Sequence, residues 1–130
     1  MDKWGFVIKA RSDAAMARYK ELHSAVPDEI AGANGALAGV GVQRMTIMCW
    51  SPRTLFMLVE AEPSFDPVRD FGRALKLHPV VQAWDDQMHG DDPLLERVDG
   101  NNTDLNWFRL DHIFAWERPE LVAETEHIDV

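Results

Sequence analysis

The spacing of apolar and polar positions changes several times along the chain, and each change marks an element. Residues 4–10, "WGFVIKA", form a short apolar run that reads as a first strand. Ser12 then offers an N-cap and Asp13 a favourable first-turn acid. Apolar positions 15, 16, 19, 22 and 26 follow at close to helical spacing, until Pro27 limits or kinks the helix. Residues 31–41, "AGANGALAGVG", read as a small-residue helix end followed by a turn. "VQRMTIMCW" (42–50) and "RTLFMLVEAE" (53–62) read as a hairpin joined at Ser51-Pro52. Asp66 and Pro67 signal a helix start, and helical patterning runs through "VRDFGRALKL". His78-Pro79 interrupts it, and "PVVQAWDDQM" restarts with Pro79 in its own first turn. "HGDDP" and "VDGNNTD" read as loops, and "NWFRLDHIFAWE" (106–117) as the last strand.

The resulting order, β-α-β-β-α-β, predicts an α+β fold of ferredoxin-like type spanning residues 1–117, with an acidic tail at 118–130. Four antiparallel strands would carry two helices on one face. The other face then needs a cover, and the aromatic last strand suits a sheet covered on both sides. A homodimer with two such sheets face to face, a dimeric α/β barrel, is the expected solution.

Composition narrows the partners. The balance is that of an ordinary globular chain, 46% hydrophobic and 27% charged. A formal net charge of −9 argues against nucleic acid and disfavours acidic membranes and polyanionic substrates. A neutral small molecule meets no such objection. The single cysteine, Cys49, cannot form an internal disulfide, and its place in an apolar strand beside Trp50 reads as a buried structural thiol. With no signal-peptide pattern and no apolar run of about 18–20 residues, a cytoplasmic protein without membrane partners is expected.

Candidate chemistry is sparse. The five histidines, at 23, 78, 89, 112 and 127, show no metal-ligand spacing, and no nucleophile elbow, phosphate loop or dinucleotide fingerprint occurs. Neither a metal nor a cofactor is therefore expected. Tyr19 and His23 stand out because positions i and i+4 share one helix face. A neutral imidazole gives or takes a proton near pH 7, and a phenol holds an oxygen or hydroxyl. Together they suit proton transfer on a sugar or carbonyl compound, although the same spacing also fits a core tyrosine beside a helix-end histidine.

The stretch "FVIKARSDAAMARYKELHSAVPDEI" resembles the opening of the L-rhamnose mutarotase family, in a strand followed by a helix with Tyr-x-x-x-His and then a Pro-acid-hydrophobic step. The matching residues are Tyr19, His23, Pro27, Asp28 and Ile30. The hairpin supplies Leu55, Phe56, Val59 and Glu60 of a family pattern, and "HPVVQAWDDQM" resembles a helix that carries a Trp-Trp pair and a methionine, here Trp84 and Met88. "LDHIFAWE" is similar to the family's closing strand, so the resemblance runs from about residue 5 to 117. It implies a cofactor-free dimeric enzyme that interconverts the α and β anomers of a 6-deoxy-hexose such as L-rhamnose or L-fucose. In that reading His23 is the proton donor, Tyr19 contacts the sugar and Trp84 walls the pocket.

Three positions depart from the pattern. Asp85 replaces the second tryptophan, Arg44 stands at the ungapped match to a pocket tyrosine with Met45 next to it, and Val26 replaces a tryptophan before Pro27. Arg44 and Asp85 are expected as substrate-binding residues, paired with each other or turned to a more polar or anionic ligand. Asp85 or Asp111 is open as a second base, while Trp107 and Trp116 read as core or interface. Two other readings stay open: a different cofactor-free enzyme of this fold acting on a small organic acid, and a non-catalytic ligand-binding module.

Overall fold

Side chains alternate along β1 (Asp2–Lys9), so that Phe6 and Ile8 are buried while Lys3 and Lys9 reach solvent. A computed structural model of the chain describes residues 2–98 and 106–120. Ser12 caps α1 (Asp13–His23), its hydroxyl accepting from the Ala15 N–H at 3.0 Å. Ala15, Met16 and Tyr19 form the buried stripe of that helix. It ends at His23, before Pro27 is reached, with Ser24 as its C-cap. Two single turns follow, α2 (Asp28–Ala31) and α3 (Ala36–Gly39). Gly41, at φ 97°, then turns the chain into β2 (Val42–Trp50) through backbone that a side chain would strain.

β2 and β3 (Thr54–Ala61) make the expected hairpin, with one irregularity between Val42 and Arg44. Asp66 caps α4 (Pro67–Leu77) by accepting from the Arg69 N–H at 2.8 Å. The Asp70 carboxylate reaches back to the Asp66 N–H, also at 2.8 Å. His78 is extended, φ −158° and ψ 137°, because the ring of Pro79 excludes helical backbone from the residue before it. That one residue separates α4 from α5 (Pro79–His89).

The four strands form one antiparallel sheet in the order β2-β3-β1-β4, with the helices packed on one face. The core lies between, built on Phe6, Ile8, Leu55 and Val59 from the sheet and on Phe65, Met16 and Val81 opposite. Phe71 of α4 meets Phe6 edge to face with ring centroids 6.4 Å apart.

The last strand is shorter than its alternation predicts. β4 covers Phe108–Leu110, paired with Val7–Gly5, and no strand is formed from Asp111 to Glu120. The register explains much of this. Leu110 lies opposite Gly5, so β1 has three positions left, Trp4, Lys3 and Asp2, and the chain beyond residue 113 has no neighbour to pair with. Phe114 and Trp116, beyond that point, are exposed at 82% and 67%, and Ile113 is exposed at 97%. Of the acidic tail expected at 118–130, residues 121–130 lie outside the described residues.

Cys49 is also corrected: it is exposed rather than buried. β2 is an edge strand of the sheet, and Cys49 is the next-to-last residue of it.

Candidate active site

α1 and α5 each present one face to a cavity of about 490 Å³ between the helices and the sheet. The helical repeat brings Tyr19 and His23 to it from α1, and Trp84, Asp85, Met88 and His89 from α5. Met45, Ile47 and Met57 from the strands and Phe71 and Leu75 from α4 make most of the remaining wall apolar. Trp107, expected in the core or an interface, is buried and also lines this cavity. The volume falls in the range of small-molecule sites, and a few polar groups in an apolar wall are what such sites use to orient a guest.

Tyr19, His23 and Trp84 touch in sequence. The Tyr19 and His23 rings stack with centroids 4.1 Å apart and planes at 29°. His23 in turn meets Trp84 edge to face at 5.1 Å. The His23 Nδ1 lies 2.8 Å from the backbone oxygen of Tyr19, one turn earlier. A carbonyl oxygen can only accept, so Nδ1 carries the hydrogen and Nε2 is left as the nitrogen that exchanges.

Burial shifts every titratable group along this wall. It pushes the Tyr19 phenol well above its usual value, which keeps it a neutral hydrogen-bond donor. It lowers His23, and the bond to the Tyr19 carbonyl opposes that shift. It raises Asp85, helped by the neighbouring charge of Asp86. It lowers His89 to about 4, with nothing to oppose it. Burial thus moves each of these groups in the direction of its neutral form.

Arg44 is not part of this cavity. Its guanidinium lies on the opposite face of the sheet, 3.4 Å from the Glu60 carboxylate and 72% exposed, so neither a pair with Asp85 nor a contact with a cavity ligand is formed. The cause is the irregularity in β2. Val42 faces Ala61 and Arg44 faces Glu60, which leaves Gln43 as an extra residue. One extra residue reverses the alternation, turning Arg44 outward and Met45 and Ile47 inward. Asp111 is exposed on the chain after β4 and does not line the cavity.

His89 lines the cavity although the sequence did not single it out. The signal was present: it follows Asp85 by four residues, the same spacing that marks Tyr19 and His23. Among the described residues no group of three or more His, Cys, Asp or Glu is placed to hold a metal ion, and no helix is long and apolar enough to cross a membrane.

The antiparallel sheet with helices packed on one face and a cavity between them is an α+β architecture of ferredoxin-like type. The family model for L-rhamnose mutarotase matches residues 3–116, and the chain belongs to that family. It is 30% identical over 96 residues to a UPF0734 protein of Dictyostelium discoideum, covering 74% of each chain. A crystal structure of an L-rhamnose mutarotase from Formosa agariphila is similar in fold, with a TM-score of 0.60 at 20% identity over 90% of this chain and all of that one.

Proposed function

We propose that the protein is an aldose mutarotase that interconverts the α and β anomers of a 6-deoxy-hexose of the L-rhamnose or L-fucose type without a cofactor. The observation that carries this reading is the convergence of Tyr19, His23 and Trp84 on one cavity, in contact with one another. Family membership supports the reaction class. The apolar wall supports a sugar that has a methyl group in place of a hydroxyl.

The reaction asks for two proton movements. His23, as imidazolium, gives the Nε2 proton to the ring oxygen while the C1–O5 bond breaks and its electron pair moves to that oxygen. The anomeric hydroxyl loses its proton to a base, and its oxygen becomes the carbonyl. After rotation about C1–C2 the ring closes on the other carbonyl face and both protons return. Tyr19, neutral through burial, holds the sugar by hydrogen bond, and Trp84 offers an apolar surface to one face of the ring. Asp85, at the same wall, binds a sugar hydroxyl. The organic-acid alternative drew on Arg44, and with that side chain on the far face of the sheet no lysine or arginine among the described residues lines the cavity for a carboxylate.

The active form in this reading is a homodimer in the cytoplasm, joined through the outer face of the sheet. Trp50, Met48, Leu58, Phe108 and Leu110 are exposed there. Saturation-transfer NMR tests the activity: irradiating one anomer's H1 should diminish the other's in L-rhamnose or L-fucose well above the buffer rate. Exchange no faster than buffer with both sugars would refute the proposal.

A further inference from the structure

We propose that His89 is the second proton-exchanging group of this site, the base that takes the anomeric proton while His23 serves the ring oxygen. The inference rests on the mutarotase reading and deepens it. Sugar ring opening needs an acid and a base on one bound molecule, and Tyr19, His23, Asp85 and His89 are the titratable side chains that line the cavity. They come from two helices: Tyr19 and His23 from α1, Asp85 and His89 from α5. The residues that β2, β3 and α4 contribute are all apolar. Arg97 reaches the end of α5, its guanidinium donating to the Gly90 carbonyl at 3.0 Å, and it does not line the cavity.

A structural role explains His89 poorly. A histidine in the last turn of a helix normally acts there as a cation, favoured by the helix dipole. His89 occupies that position on α5, yet burial holds its pKa at about 4, so at neutral pH it has no charge to offer the dipole. What remains is a neutral imidazole on a cavity wall, one turn beyond Asp85, on the same cavity as His23.

The two imidazoles also sort themselves into roles. The bond from Nδ1 to the Tyr19 carbonyl supports the protonated form of His23, and among the described residues no such bond supports protonated His89. Of the two, His23 is the one whose surroundings favour a proton, which leaves His89 as the acceptor, and environments that push two pKa values apart are how acid and base are assigned. In the forward step His23 gives its proton to O5 and His89 receives the proton of O1. On reclosure O5 returns a proton to His23, and His89 returns its own to the carbonyl oxygen. The count of protons and electrons is then the same at start and finish.

The test compares anomer exchange in wild type, His89→Gln and His23→Ala with L-rhamnose and L-fucose, alongside the ring ¹⁵N signals of His89 as methyl L-rhamnoside, which cannot open, is added. We expect His89→Gln to stay folded and lose about 10²-fold in exchange. In wild type the activity should fall as acid protonates His89, near pH 4, and again as base strips His23. The His89 ring signals should move on addition of the glycoside. No exchange by wild type would overturn the mutarotase reading and this inference with it. Exchange by wild type with undiminished exchange by His89→Gln would overturn this inference alone. If His89→Gln fails to fold, the wild-type spectra decide: His89 signals unmoved by the glycoside refute the assignment, and signals that shift support it.

Discussion

In the proposed reaction His23 owes its role to a bond made one turn behind it. With Nδ1 committed to the Tyr19 carbonyl, the ring has one nitrogen to exchange a proton and a fixed orientation in which to do so. Stacking on Tyr19 on one side and the edge contact with Trp84 on the other hold that orientation without a carboxylate partner. Trp84 should matter for binding more than for proton transfer. Trp84→Ala is expected to raise KM about tenfold, about 1.4 kcal/mol, with a smaller effect on kcat, measurable by anomer exchange at varied sugar concentration. Tyr19 and His23 were legible in the sequence because helical spacing alone puts i and i+4 on one face. Arg44 was not, since one extra residue at Gln43 reverses the facing of the rest of the strand, and nothing in "GVQRMT" marks a bulge. His89 was legible in principle by the same spacing rule, counted from Asp85.

Among the elements, α4 shows how local chemistry places a wall of the site. Asp66 and Asp70 cap the helix reciprocally, and Asp70 is 1% exposed while its carboxylate accepts from Arg69 and Arg73 at the surface. The guanidinium of Arg69, with the Asp66 N–H and Arg73, holds the Asp70 carboxyl far below the usual carboxylate range. A carboxyl depressed in the folded state stabilises the protein above its unfolded pKa, about 4, and that contribution is lost as pH falls below it. Asp70→Asn should therefore cost about 1–3 kcal/mol at pH 7 in urea unfolding, with the difference from wild type shrinking in acid. An unchanged midpoint at pH 7 would contradict the role given to this cap. The element order was readable because Pro67 and Pro79 each mark a helix start and Ser12 and Asp66 each cap one. The extent of the last strand was not: alternation in "NWFRLDHIFAWE" records that its side chains suit a sheet, while the length of β1 limits how much of it this sheet can pair.

At the scale of the whole molecule, the sheet is covered on one face and bare on the other. Leu58, Phe108 and Trp50 on the bare side, with Ile113, Phe114 and Trp116 on the chain beyond β4, are large apolar side chains exposed to water, a feature that marks interaction surfaces when such residues form one patch. In the homodimer reading both features are covered by a second copy. Sedimentation at micromolar concentration should give twice the chain mass, and Leu58→Glu with Phe108→Glu should give a monomer. A wild-type monomer would refute that part of the proposal. The central claim is narrower, that one imidazole on α1 moves a proton for a bound sugar. It is tested most directly by saturation-transfer exchange of L-rhamnose or L-fucose with wild type and His23→Ala at equal concentration. The account predicts rapid exchange with wild type and a loss of about 10²-fold or more in a folded His23→Ala. Equal exchange by the two proteins would contradict it.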